Sequence, residues 1–188
     1  MRQFVFGYAS LVEALHTTPT REVRAEGFVA DLRGRRREWA VAMDNSRDFP
    51  GYKYYVEPET RERPRVYVTF LDLEPDPTGS VNGVVFPVAG DETLDALDRR
   101  ERNYTRREVT EELSTAAEGR VWAYFGTPDA RERHALGRSA GTAVVSGEYL
   151  ERVRGCFAQL GAEELRRYDA STATPPYPVR KLQRIDLP

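Results

Sequence analysis

Cysteine, histidine and lysine are nearly missing from this chain. Its 188 residues include one cysteine, Cys156, and two histidines, His16 and His134. A single thiol cannot close an internal disulfide, so the composition suits a reducing compartment, and a cytoplasmic location is expected. So few sulfur and imidazole groups argue against a His/Cys zinc site and leave few partners for a Ser-His-Asp apparatus. No metal or other cofactor is expected. Long apolar runs are also missing. Phe4-Val5-Phe6 is too short for a signal-peptide core, Glu13 interrupts the next apolar residues, and no stretch reaches the length of a membrane span. There is no Walker loop, no Gly-x-Gly-x-x-Gly and no nucleophile elbow. Lysine occurs only at 53 and 181, so arginine supplies nearly all of the 28 basic residues; against 30 acidic residues the net charge is −2. Such a balance gives no global field to recommend nucleic acid. The local run Arg33, Arg35-Arg36-Arg37 reads as a solvated hairpin turn rather than a nucleic-acid patch.

With 40% hydrophobic and 31% charged residues the chain has the composition of a globular domain. Its length suits one domain over 1–188, a core of about 1–127 and a helical extension of about 128–188 that packs on it. Alternating apolar patterns predict strands at Gln3–Gly7, Val23–Val29, Glu38–Met43, Val66–Leu73, Val81–Val88, Thr105–Leu113 and Arg120–Phe125. Residues 44–64 read as a long loop, and Pro75, Pro77 and Gly79 mark a turn. Helices are expected at Leu11–His16, Asp91–Arg102, Asp129–Gly137, Glu148–Leu160 and Ala162–Tyr168, with a last strand near Arg180–Ile185. Many short strands without βαβ alternation suit an α+β fold, a small mixed β-barrel with peripheral helices.

The helix from Asp91 carries an anomaly. On a wheel of about 100° per residue with Leu94 at zero, Leu97 falls at about −60° and Glu101 at about −20°. Tyr104 extends the same stripe, while Asn103 falls on the solvated side and Asp98 at the stripe's edge, where it reads as a surface or supporting group. A carboxylate thus sits in the core-facing stripe, where a leucine is the usual choice. Two readings stand side by side. Glu101 ion-pairs with one of the many arginines, or it is a general acid/base whose pKa desolvation raises towards neutrality.

A second constellation is Gly7-Tyr8-Ala9-Ser10-Leu11, between the first strand and a short helix. Ser10 with Glu13 fits a capping box, which explains both structurally. The same turn would present backbone N–H groups to a carboxylate or an oxyanion, with Gly7 allowing close approach.

At these residues the chain resembles the γ-glutamylcyclotransferase-like superfamily. Val5-Phe6-Gly7-Tyr8-Ala9-Ser10-Leu11 is similar to its Tyr-Gly-Ser-Leu loop. Leu97-Asp98-Arg99-Arg100-Glu101 with Tyr104-Thr105-Arg106-Arg107-Glu108-Val109 is similar to its Leu-Asp-x-x-Glu…Tyr-x-Arg-x-x-Val signature, and Val81–Phe86 to the strand before the catalytic helix. The resemblance implies a barrel with a central cavity and an enzyme acting on a small γ-glutamyl compound. The substrate's own α-amine attacks its γ-carbonyl and 5-oxoproline leaves. It implies Glu101 as general acid/base, Gly7, Tyr8, Ala9, Ser10 and Leu11 as the substrate-gripping loop, and Tyr104 and Tyr124 as cavity tyrosines, each equally readable as core packing. Glutathione metabolism or a biosynthetic deprotection fits the same class. A non-catalytic binding module on the same barrel is the alternative. No nucleic-acid or membrane partner is expected, and oligomeric state is left open. Ala9 departs from the usual glycine, at a cost of about 1 kcal/mol if the position needs positive φ. Phe49, Tyr52, Tyr54 and Tyr55 are candidates for the leaving-group wall.

Overall fold

The computed structural model describes residues 1–14 and 26–187. Leu15, His16 and Val23 to Ala25, parts of two predicted elements, lie outside the described residues. The expected α+β class holds. Strand β1 (Gln3–Gly7) runs antiparallel to β4 (Tyr67–Val88) and parallel to β6 (Arg120–Gly126), which in turn pairs with β5 (Tyr104–Glu108).

Two of the strands are long. β2 (Phe28–Asp44) stays paired with β4 from Phe28↔Val85 to Asp44↔Tyr67. The sequence reading divided each of them in two. The turn chemistry around Pro75 is present: the Asp76 carboxylate accepts from the Thr78 N–H at 3.2 Å and its hydroxyl at 3.0 Å. It makes a bulge with a register shift between Arg33 and Arg35 rather than ending the strand, because β2 crosses it on the other side. The run Arg33 to Arg37 is therefore mid-strand, not a solvated turn, and Arg37 is fully buried.

The sheet curls until its edges approach. Leu113, after a 3-10 turn at Thr110–Glu112, bridges Leu32 of β2, and the Ser114 N–H donates to the Asp31 carbonyl at 2.8 Å. Among the described residues the expected barrel is thus a curled sheet joined here by a single bridge rather than by a full ladder. Both faces of the curled sheet are covered: Val5, Phe6, Leu32, Leu71, Val84 and Val121 have almost no exposed surface, and each such side chain contributes about 1.5–3 kcal/mol.

Four helices appear among the described residues: α1 (Asp91–Arg100), α2 (Pro128–Ser139), α3 (Gly147–Leu160) and α4 (Ala162–Ala170). Thr127 caps α2, accepting from the Ala130 N–H at 3.2 Å. α3 buries Tyr149, Val153, Cys156 and Phe157, the i, i+4, i+7, i+8 stripe of an amphipathic helix. None of the helices is long and apolar enough to cross a membrane. In the C-terminal part the strand expected near Arg180–Ile185 is present as β9 (Gln183–Asp186), while β7 (Ala143–Ser146) was not announced by local pattern. β7 extends the sheet beside β4, and β8 (Val179–Arg180) pairs with β7. β9 pairs antiparallel with β3 (Lys53–Val56), which lies inside the segment read as a loop.

Candidate active site

Helix α1 ends at Arg100, two residues earlier than its sequence pattern suggests, and this places Glu101. It is the C-cap residue, with φ −92° and ψ 45°. Its N–H donates to the Leu97 carbonyl at 2.8 Å, and its own carbonyl accepts from the Tyr104 N–H at 2.8 Å. The backbone is thereby held between the helix and β5. The side chain is 15% exposed, and Arg100 Nε lies 3.4 Å from its carboxylate. Both readings of Glu101 find something here: it has an arginine neighbour, and it faces a cavity. Asn103 departs from the wheel. Because the helix has ended, it is buried rather than solvated, donating to the Tyr52 hydroxyl at 3.2 Å and accepting from Arg133 at 2.9 Å.

The loop after β1 reaches the same cavity. Tyr8, Ala9, Ser10 and Leu11 line it together with Leu71, Glu101, Tyr104, Tyr124 and Tyr149. Gly7 stands just outside. A Cβ there would lie 2.8 Å from the Leu11 carbonyl carbon and 3.0 Å from the Val12 nitrogen, so only glycine lets the strand end abut the turn. The turn, Ser10–Glu13, is a single stretch of 3-10 helix. Its N-cap is Ala9, with no side-chain cap, so the capping box is not formed. Ala9 has φ −139°, and its methyl carries no left-handed penalty. The Val12 N–H returns to the Ala9 carbonyl at 3.0 Å, while the earlier N–H groups of such a turn have no partner within it.

The tyrosines are braced through their hydroxyls. Tyr8 donates to the Tyr124 carbonyl at 2.8 Å, Tyr104 to the Leu71 carbonyl at 2.8 Å, and Tyr124 to Asp98 at 2.7 Å. Asp98 also lies 3.4 Å from Arg106, which gives it the supporting place expected at the stripe's edge. Burial pushes the hydroxyls of Tyr8, Tyr104 and Tyr149 far up, and the nearby Glu101 charge adds to this. These phenols stay protonated and offer no base. Among the described residues that line this cavity, Glu101 brings the one carboxylate.

The tyrosine end is tight, about 20 Å³, with room for about one water. Ser10 and Glu101 also border a roomier cavity of about 230 Å³, walled by Tyr52, Lys53, Arg100, Arg152, Arg184 and Asp186 among others. A still larger cleft of about 530 Å³ lies elsewhere, between β2 and α4. Its arginines are committed: Arg35 to Glu112, Arg36 to Glu38, and Arg167 to Asp31 and Glu164.

Residues 32–139, more than half of the chain, match the family described as gamma-glutamyl cyclotransferase, AIG2-like. The chain belongs to this family. Among solved structures it is similar to one titled gamma-glutamyl cyclotransferase, at 16% identity and a TM-score of 0.54, covering 96% of this chain and 94% of that one. A Homo sapiens protein titled uncharacterized is similar at 16% identity and a TM-score of 0.52, covering 95% and 92%. Both likenesses concern the fold. No curated protein sequence matches the chain.

The structure brings together the residues that the gamma-glutamyl cyclotransferase resemblance singled out: Tyr8, Ala9, Ser10, Leu11, Glu101, Tyr104 and Tyr124 share one cavity. Of the proposed aromatic wall, Tyr52 borders the roomier cavity. Phe49 lies with Tyr52 at a neighbouring cleft, Tyr55 is buried against Phe70, and Tyr54 lies under Arg63. Sequence reasoning missed Lys53, Tyr149, Arg152 and Arg184, which come from β3, α3 and β9. Lys53, as one of two lysines in an arginine-rich chain, was the available signal.

Proposed function

We propose that this chain is a γ-glutamyl cyclotransferase that releases 5-oxoproline from a small γ-glutamyl compound, with Glu101 as general acid/base. The observation that carries the reading is the placement of Glu101. In a member of this family, a largely buried carboxylate shares a cavity with the turn after β1 and faces protonated tyrosines.

The chemistry asks little of the protein. The substrate's α-amine attacks its own γ-carbonyl carbon, forming the ring C–N bond. Electrons move onto the carbonyl oxygen, then return as the bond to the leaving nitrogen breaks. Glu101 takes a proton from the attacking nitrogen and delivers it to the leaving one, so the carboxylate is regenerated. The products are 5-oxoproline and a free amine. Because attack is intramolecular, holding the chain folded back on itself removes much of the barrier. Free N–H groups in the first turn at Ser10 would serve the substrate carboxylate or the developing oxyanion. General acid/base help of this kind is worth about 10²–10⁴-fold.

The test is incubation with γ-glutamyl amino acids, γ-glutamylamines and glutathione, with 5-oxoproline as the readout. Turnover of at least one compound is expected, with a loss of at least about a hundredfold in Glu101→Gln. Turnover that survives this substitution removes Glu101 from the mechanism. No turnover by a well-folded protein turns the reading towards a binding module.

A further inference from the structure

The roomier cavity beside Glu101 is built of charge. Lys53 from β3, Arg100 from α1, Arg152 from α3 and Arg184 from β9 border it, against two carboxylates, Glu101 and Asp186. These charges are unequally committed. Arg184 holds Asp186 through Nε at 2.8 Å and again through its terminal nitrogen. Arg100 stands beside Glu101, whose carboxylate is the proton carrier of the proposed reaction. Lys53 and Arg152 remain, and neither has a carboxylate within ion-pair distance among the described residues. Lys53 Nζ rests instead over the rings of Phe70 at 4.6 Å and Tyr52 at 5.3 Å. Arg152 Nε is buried with no hydrogen-bond partner. Buried donors are normally satisfied, and an unsatisfied one in a cavity wall marks where an acceptor belongs. The strain of this arrangement shows in Lys53. Burial, then the charge of Arg184, with further contributions from Arg152 and Arg100, pull its ammonium down to about 7, while Glu101 holds it up.

We propose that this cavity is the leaving-group subsite, and that Lys53 and Arg152 select γ-glutamyl compounds whose leaving amine carries a carboxylate. The inference rests on the cyclotransferase reading above. The tyrosine end has room for about one water, so the substrate lies in the roomier cavity, with its scissile bond at Ser10 and Glu101, which both cavities share, and its leaving portion towards Lys53 and Arg152. A carboxylate there receives the orphaned Arg152 donor and offsets the repulsion between Lys53 and its arginine neighbours. A leaving group that ends in an ammonium meets charge of its own sign, and a neutral amide gains little. Discrimination therefore comes from attraction to the acid and repulsion of the cation together.

Three substrates of matched size decide the matter: γ-glutamyl-alanine, γ-glutamyl-alaninamide and γ-glutamyl-1,2-diaminoethane. The expected order of kcat/KM is acid, then amide, then cation. The first gap should be at least about tenfold, equivalent to about 1.4 kcal/mol. In Arg152→Gln and Lys53→Met the acid-to-amide ratio should fall towards one, mainly through KM, and Arg152→Lys should restore part of it. Equal turnover of acid and amide overturns the subsite while leaving the cyclotransferase reading in place; so does an unchanged ratio in both variants. Calorimetric binding of the same acid and amide separates the remaining case. If nothing is turned over but the acid binds more tightly in an Arg152-dependent way, the subsite stands and the cyclotransferase reading falls. If neither turnover nor preferential binding is seen, both fall.

Discussion

Arg37, with no exposed surface, donates from Nε to the carbonyl oxygen of Tyr8 at 2.7 Å. The rest of its guanidinium is also spoken for. One terminal nitrogen donates to Ser171 Oγ at 2.6 Å, and the other to the backbone and side-chain oxygens of Asn82. The rings of Tyr168 and Phe157 lie 4.9 and 5.0 Å away. Burial lowers its pKa to about 9, which still leaves it cationic at neutral pH. A buried cation without a carboxylate is unusual. Here it is solvated by carbonyl and hydroxyl oxygens, and it joins the loop after β1 to β4 and the end of α4.

Arg37→Met should therefore be severely destabilising. It takes the donor from the buried Tyr8 and Asn82 carbonyls, at about 1–3 kcal/mol for each group left unsatisfied, while the Ser171 hydroxyl keeps its bond to the Arg167 carbonyl at 2.7 Å. A loss of about 3 kcal/mol or more in urea unfolding is expected, against about 1 kcal/mol for Ser171→Ala. Equal losses in the two variants would show that the guanidinium does not anchor the loop.

Ala9→Gly tests the departure from the family's glycine. Since Ala9 already has φ −139°, glycine relieves nothing there. The variant should be neutral or slightly less stable, by at most about 1 kcal/mol. A clear rise in stability, or a drop in KM for a turned-over substrate, would mean that the methyl obstructs the loop.

The cavity tyrosines should separate from Glu101. Tyr124→Phe removes the 2.7 Å bond to Asp98, and Tyr104→Phe removes the bond to the Leu71 carbonyl. Each should cost about 1 kcal/mol of stability and leave 5-oxoproline formation within about tenfold of wild type, a change of about 1.4 kcal/mol in the barrier. A loss matching that of Glu101→Gln would give the phenol a chemical role.

Lys53 ties stability to pH. Its folded value, about 7, lies below the ordinary lysine value of 10.5. Between the two, the unfolded chain binds a proton that the folded chain has released, so this group's contribution to stability rises with pH. The gap in urea midpoint between wild type and Lys53→Met should shift in favour of wild type from pH 6.5 to 8.5. Taking this difference cancels Cys156 and Arg37, which titrate in both proteins. A constant gap would place Lys53 in ordinary solvent.

Local chemistry made part of this molecule legible. Gln3–Gly7 is a strand within the predicted bounds, and Glu101 stood out because a carboxylate occupied an apolar stripe. Even so, the wheel turned Glu101 inward on a helix that had already ended, and it misplaced Asn103 for that reason. The cation wall was hidden because Lys53 gains its meaning only from Arg184, which lies across the β3–β9 ladder at the other end of the sequence. Arg37 was hidden by its neighbours: in a run of arginines nothing in composition separates the one that turns inward. What periodicity reports is burial within one element, and each of these misses depends on pairing between elements.

The ladder between β3 and β9 also has a consequence for the order of folding. Joining segments so distant in sequence carries a loop-closure cost that a nearer pairing would not, which favours its forming after the intervening sheet. Opening of β9 alone would remove Arg184 and Asp186 from the proposed leaving-group wall while leaving β1, β4 and β6 paired, so native-state hydrogen exchange should find β9 less protected than those strands.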